Sequence, residues 1–520
     1  MRKKIKLLSS ILIGCMVLSI SIVGFAQNLP FKGITINVGV LAAGRHGAIS
    51  GPLYYWRPTW EKMTGAKLNI IEVPIGQIYE KVMLDLLTGA GGFDAFDGPV
   101  EMMGDLIKGG YIYDIEKWYN DPRFPKWDKN SVVPQMRFIH QWGGKWYTAP
   151  NDYDMHTLNY RKDILTNPKW KKLFKVEKGY EYHVPPRTWE ELADIAEFFN
   201  GKDWDNDGKI DYGITQSWVK GEQAMRHYMS LAAPYVVLPG NNGKPDRSHN
   251  IYYFDPETME PLINNPGFVR ALKMAIRLYH AGPKDQINWG LGEMWDLFLR
   301  GDAIFNFGYQ DLGALVQDET RSKVKGKLGC SILPGTYEVW DRGNKRWVKF
   351  DKPNFVVNTT GPSWSIFIFK TSEHPEVVYH LAAFQATKAV SFWNITHGFT
   401  GINMGRIFEF FPDQTFDHQR GTATIEDWVK NGWDPNDARE YVKSAYENYT
   451  MSTTRMPYLR IPGDVAYEES LDTHLNEAIS GVVSPQEALN RVYNDWQKIT
   501  DRLGREQQLK YYQEAIGYTR

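Results

Sequence analysis

Cysteine is nearly absent from this chain. Its 520 residues hold two, Cys15 and Cys330, and Cys15 falls in an N-terminal stretch that reads as a removable leader. A processed chain therefore has no intrachain disulfide, and Cys330 reads as a lone buried thiol. No His-x-x-x-His spacing points to zinc, and no Gly-x-x-x-x-Gly-Lys-Ser/Thr loop is present to cradle phosphate. After residue 26 no apolar run has the length of a membrane span. An excess of charge is missing too. Removing residues 1–26 takes Arg2, Lys3, Lys4 and Lys6 and no acid, so 60 basic residues become 56 against 61 Asp plus Glu, a net charge of −5. That mildly acidic balance argues against a nucleic-acid or anionic-membrane partner.

The leader consists of a basic head, Arg2-Lys3-Lys4-Ile5-Lys6, an apolar run from Leu7 to Ala26, and Gly24-Phe25-Ala26 before Gln27. This is the pattern of a secretory signal peptide. Leu12-Ile13-Gly14-Cys15 is similar to a lipoprotein box, but the residues after Cys15 stay apolar, which favours cleavage after Ala26 over a retained anchor. The expectation is an exported protein, periplasmic or associated with the cell surface. Aromatic side chains are plentiful: 19 Trp, 29 Tyr and 25 Phe. Many belong to a core, and the surplus suits carbohydrate, whose C–H faces stack on flat rings.

At this length two large lobes are expected. Ile34–Leu41 alternates as a first strand and is followed by a glycine-bearing loop with Arg45 and His46. A helix from about Gly51 to Thr64 carries Trp56, Trp60 and Met63 on one face and stops at Gly65. Lys67–Val73 reads as a second strand, Gln77–Leu87 as a helix, and Gly92 to Asp97 leads into a third strand. Alternating strands and helices predict an open, mostly parallel α/β sheet. Ligands of such a sheet lie beyond the carboxyl ends of the strands, here near Arg45-His46 and from Asp97 to Glu101. Gly143 to Leu165 reads as strand, break at Pro150-Asn151-Asp152, then strand, which is how a chain leaves one lobe for another. Asp154, beside that crossing, is expected to face the cleft.

Several stretches then carry a resemblance: Gly91 to Ile115; the pattern Gly144-Lys145-Trp146-Tyr147, Pro150, Asp154, Tyr160, Lys162-Asp163; Pro186 to Leu192; Phe298 to Phe305; Ile332 to Gly335; Gly361 to Phe369; and Ser484 to Leu489. Their order along most of the chain resembles that of the family-1 extracellular sugar-binding proteins of ABC importers, typified by maltose-binding protein. Two of the stretches are also physical capping boxes, Thr188 with Glu191 and Ser484 with Glu487. The resemblance implies a two-lobe periplasmic-binding-protein-like fold of type II, each lobe discontinuous, with a hinge between them. The expected division is signal peptide 1–26, lobe 1 from 27–151 and 334–405, and lobe 2 from 152–333 and 406–520. Apparent insertions near 166–185, 233–262, 336–357 and 405–455 lengthen the chain beyond maltose-binding protein.

The resemblance places Glu101 and Asp154 where carboxylates accept hydrogen bonds from sugar hydroxyls. It places Arg45 and His46 in a polar loop toward the sugar, Tyr309 as a stacking platform and Gln310 as its hydrogen-bonding neighbour. Trp364 lies near the return crossing and is read as lining the cleft, and Asp97, at the end of the third strand, is an open position. Asp94 reads as structural and Trp393 as packing. One motif is unrelated to sugar. Asp203, Asp205 and Asp207 at loop positions 1, 3 and 5, Gly208 at 6, Lys209 at 7 and Asp211 at 9 reproduce much of a calcium loop. Position 12 is Ile214, so a structural Ca²⁺ would need another donor.

The expected function is capture of a carbohydrate, an oligosaccharide above all, for delivery to a membrane permease, by a monomer with no catalytic residue and no cofactor for activity. Two rivals are a secreted glycoside hydrolase using Glu101 with Asp154, and a binder of a non-sugar solute.

Overall fold

The computed structural model describes residues 29–456 and 459–518; the expected signal peptide lies outside them. Ten strands set the frame: β1 (Thr35–Leu41), β2 (Lys67–Val73), β3 (Ala95–Gly98), β4 (His156–Arg161), β5 (Tyr212–Thr215), β6 (Ala303–Tyr309), β7 (Leu328–Ser331), β8 (Thr336–Asp341), β9 (Arg346–Asn354) and β10 (Ser365–Ile368). They build two four-stranded sheets, ordered β10-β3-β1-β2 and β5-β6-β4-β7, and a β8-β9 hairpin.

The first sheet follows from the alternation in β1. Ile36, Val38 and Val40 are fully buried along one side of that strand. β2 and β3 flank it in parallel, Thr35 facing Lys67 and Val38 facing Ala95, while β10 joins β3 antiparallel. Gly39 carries no side chain because Phe96 fills the space; a Cβ there would stand 2.2 Å from the Phe96 ring. Helix α1 (Ser50–Thr64) ends at Gly65 in the left-handed conformation. Its buried stripe runs through Leu53, Trp60 and Thr64, so Trp56 is half-buried and Met63, expected on the core face, is exposed. Met63 lies about 100° round the helix from Thr64, off that stripe.

In the second sheet every residue of β4 and β6 is buried, as expected of strands covered on both faces. Helix α2 (Trp189–Phe199) packs on β5, and α5 (Pro435–Thr450) packs on β7. Helix α3 (Ala224–Val236) is tied to β6 by His227 Nε2 and the Phe307 carbonyl at 2.7 Å, and it packs against α4 (Pro266–His280) and α6 (Asp464–Ile479). Thr188 caps α2 by accepting from Glu191 N, but the Glu191 carboxylate turns to the backbone N–H groups of His183 and Arg187 instead of closing the box. Ser484 caps the helix Pro485–Leu503, with Pro485 at its first position, but this box is not closed either: the Glu487 carboxylate accepts from Arg491 Nε at 3.1 Å. Cys330 is buried, with its Sγ 3.0 Å from Ser444 Oγ, and burial pushes its thiol up to about 12.

The chain passes from the first sheet to the second between β3 and β4 and returns between β7 and β10. A third segment runs beside the return: Asn448 exchanges both amide hydrogen bonds with the Asn358 backbone at 2.8 and 2.9 Å, and Val357 bridges to Arg455. Arg406, fully buried, pins the first crossing by donating to the Pro150 carbonyl at 2.9 Å and to Tyr153 Oη.

Candidate functional site

A cavity of about 320 Å³ opens between elements that follow strands of both sheets. From the first sheet come Tyr79, Pro99, Glu101 and Met102; from the return crossing, Pro362 and Trp364; from the start of α3, Glu222, Met225 and Arg226; from α6, Glu468, Glu469 and Asp472. Two roomier hollows, about 520 and 530 Å³, do not reach across from one sheet to the other. Glu101 arrives here because β3 ends at Gly98 and Pro99 turns the chain into a single 3₁₀ turn, anchored by Val100 N on the Pro362 carbonyl at 2.8 Å. This is the carboxyl end of a parallel strand, where open α/β sheets place their ligands.

An ion pair spans the cavity floor. Arg226 donates from Nε to Glu101 Oε1 at 3.1 Å and again from Nη2, and Glu468 Oε2 stands 3.6 Å from the same Nη2. Both members are largely buried, where charge-assisted bonds are strong and solvent screening is weak. Asp472 accepts Gly221 N and Met225 N at 2.7 and 2.8 Å, so it caps α3, whose first N–H groups lack partners within the helix. Tyr79 donates to Asp105 at 3.1 Å. The sequence carried no local signal for Arg226, Glu468 or Tyr79. Arg226 sits on α3, whose every residue is buried, and Glu468 on α6, and neither helix carries a motif.

Of the residues read from sequence, Glu101 and Trp364 line this cavity; the others stand elsewhere. Arg45 and His46 are exposed in the loop after β1, Arg45 over the Tyr54 ring at 5.7 Å and His46 edge-on to Phe399 at 5.6 Å. Asp97 is buried in β3, where Asn151 Nδ2 donates to it at 3.3 Å; burial pushes it up to about 8. Tyr309 is buried and donates to Gln223 Oε1 at 2.9 Å, and Gln310 is buried with its amide on the Tyr441 carbonyl at 3.3 Å.

Asp154 lies at the crossing and clasps it. Its Oδ2 accepts Ser363 N at 2.8 Å while its own N–H donates to Ser363 Oγ at 3.0 Å. Asp152 does the same for Trp364 N and Asn403 N, at 3.2 and 2.9 Å. With Asp311 these form a buried carboxyl cluster bridged by Asn403, whose amide joins Asp154 Oδ1 and Asp311 N at 3.0 Å each. Burial raises Asp152 to about 6 and Asp311 to about 7. It holds Asp154 well above the usual carboxylate range, with the charge of Asp152 adding to the effect. Two carboxyls this close oppose each other's ionisation, which is why the effect is strongest on Asp154.

Away from the cavity, Asp203, Asp205 and Asp211 bring one oxygen each within 4.8 Å of the others. Asp207 is turned to Lys209, accepting its N–H at 2.9 Å and its Nζ at 3.0 Å. Asp211 takes Trp204 N at 3.0 Å. Asp94 accepts Asn37 N and Ser372 Oγ, fixing strand ends, and Trp393 stacks between Tyr55 and His397.

Residues 59–392 match the family described as bacterial extracellular solute-binding protein. A curated relative, the probable ABC transporter-binding protein of Deinococcus radiodurans, is 24% identical over 279 residues, 53% of this chain; the match spans 58% of that relative's length. Among solved structures, the ribitol complex of an Agrobacterium radiobacter ABC transporter solute-binding protein superposes with TM-score 0.65 at 18% identity, covering 90% of this chain and 99% of that one. The maltose-bound MalE3 of T. maritima gives 0.63 at 16%, covering 89% and 99%. At such identities the likeness establishes the two-lobe solute-binding fold. Among the described residues no helix is long and apolar enough to cross a membrane.

Proposed function

The chain belongs to the bacterial extracellular solute-binding proteins, and on that premise we propose that it is the solute-capturing component of an ABC importer. It takes a carbohydrate or polyol into the cavity at Glu101 and hands it to a membrane permease as a secreted monomer. The observation that carries this reading is the Glu101–Arg226 pair, which lines one cavity together with Trp364. It supplies a fixed carboxylate acceptor, a guanidinium donor and a flat apolar ring from elements that follow different sheets. A polyhydroxylated ligand needs that mixture. Relatives bind ribitol and maltose, which supports the substrate class.

Lobe 1 then comprises 27–151 and 334–405 and lobe 2 comprises 152–333 and 406–520, except that the β8-β9 hairpin, expected in lobe 1, packs on α3 and α4 and so goes with lobe 2. Closure turns on the crossing near 150 and on the return between β9 and β10, past the expected 334, and a ligand stabilises the closed form only by its greater affinity for that form. The hydrolase alternative needs two opposed carboxyls at the substrate. Asp154, its second candidate, is engaged by Ser363 and is absent from the cavity wall.

The test is a thermal-shift screen of the processed protein against mono- and oligosaccharides and polyols, since a ligand of the native state raises the melting point. A saturable shift supports the reading, and no shift with any of them sinks it. Protein-dependent release of reducing ends from oligosaccharides would move the assignment to hydrolysis.

A further inference from the structure

We propose that the junction of the two crossings is a pH-sensitive hinge: Asp152, Asp154 and Asp311 clasp the lobes together while they carry protons, and their ionisation releases the clasp. It needs the two-lobe fold and no particular solute. Asp152 and Asp154 stand on the outgoing crossing, Ser363 and Trp364 on the return, Asn403 on the segment beside it, and Asp311 just after β6. Asp154 lies two residues before β4 of the second sheet and Ser363 two residues before β10 of the first. Their paired hydrogen bonds therefore tie one sheet to the other at the point where closure bends the chain. The three carboxyls are 0%, 6% and 6% exposed, and Asp311 Oδ1 has no hydrogen-bond partner.

The clasp also holds strain. Ser363 has φ +42°, a left-handed conformation that a residue with a side chain rarely adopts. It is held there from both sides, its N–H on Asp154 Oδ2 at 2.8 Å and its Oγ on Asp154 N at 3.0 Å. Gly361, two residues earlier at φ +138°, passes close against the Asp154 side chain. A backbone kept in such a region by its surroundings leaves it when that hold is withdrawn.

Protons decide whether these acids attract or repel. A neutral carboxyl offers an O–H donor, whereas a carboxylate only accepts. Ionising all three leaves like charges packed together in a buried place. Arg406, the cation of this junction, gives its donors to Tyr153 Oη, Ser131 Oγ and the Pro150 carbonyl rather than to the acids. Glu409 is taken by Ser391 Oγ and the Gly405 and Arg406 N–H groups. Burial pushes Tyr153, Tyr309 from β6, and Tyr441 and Tyr449 from α5 upward, and His140 downward, so these stay neutral. Asp97, from β3, faces Asp152 and titrates at about 8. Folded values raised above the usual carboxylate range give the sign: the clasp is complete at low pH and is lost as pH rises through about 6 for Asp152 and about 7 for Asp311.

The experiment is small-angle scattering of the processed protein without added solute, from pH 5.5 to 9 at fixed ionic strength, with far-UV circular dichroism alongside. The expected result is a radius of gyration that rises reversibly with pH as the lobes part, at constant helix content. Asp154→Asn still accepts Ser363 N but cannot ionise, and it loses at least half of the rise. Asp311→Asn gives the same loss by removing a different acid of the cluster, so the test survives if one variant folds poorly. Asp97→Asn keeps the full rise. A radius constant across the range in the parent overturns the inference. So does an equal rise in the parent and in both cluster variants, and so does a rise accompanied by loss of helix, which is unfolding. Each of these outcomes leaves the carbohydrate reading standing.

Discussion

Replacing Gly361 with alanine tests whether the two crossings are locked against each other. Gly361 has φ +138°, and a Cβ built there stands 2.2 Å from Asp154 Cβ and 2.8 Å from Tyr309 Cε1. Neither neighbour is the loose end of a flexible side chain: Asp154 is held by Ser363 and Tyr309 by Gln223. A side chain in that backbone region costs about 1–3 kcal/mol. Forcing a methyl into a packed site costs about 1–3 kcal/mol more. The sum, about 2–6 kcal/mol, is a large part of the roughly 5–15 kcal/mol that holds a protein folded. For a chain of this size, at about 1–2 °C per kcal/mol, the melting temperature falls by about 2–12 °C. Gly292→Ala is the control: it lies inside the helix Leu291–Leu299 with nothing within 4 Å of its added Cβ. Alanine gains about 0.5–1 kcal/mol over glycine there. Both are read by thermal melting followed through tryptophan fluorescence. If Gly361→Ala melts with the control, the close approach of Gly361 to Asp154 and Tyr309 does not hold the crossings.

The buried acids predict a pH dependence of definite sign. Asp97 stands at about 8 in the folded chain against about 3.9 unfolded. Its contribution is full below the unfolded value and is lost as pH rises to about 8, on the order of 5 kcal/mol at 1.36 kcal/mol per pH unit. Asp97→Asn, measured by chemical denaturation from pH 4.5 to 9, gains on the parent as pH rises; parallel curves would refute the assignment. The calcium reading of residues 203–211 remains a proposal with its own test. Millimolar Ca²⁺ raises the melting temperature of the parent but not of Asp203→Asn, and an equal response of both removes the site.

What the sequence revealed and what it hid divide along one line, the source of each carboxylate's donors. The alternation of Ile36, Val38 and Val40, the stop at Gly65 and the caps at Thr188 and Ser484 depend on residues a few positions apart, and each stands where its pattern placed it. Glu101 and Trp364 were reachable through the order of the strands and the resemblance built on it. Asp154 shows the limit. Its place at a crossing was legible, but its partner is the N–H of Ser363, 209 residues away. That bond turns an acid expected to meet ligand into one that ties two backbone segments together. Glu468 shows the converse. On its own helix it reads as a solvated acid, and only Arg226 and Glu101, brought in from α3 and from the turn after β3, make it part of a cavity wall. A carboxylate satisfied by backbone N–H groups has little capacity left for a ligand. One that shares a single guanidinium with another acid retains it. By that criterion Glu468, which no motif marked, has more to offer a bound solute than Asp154, which a motif did.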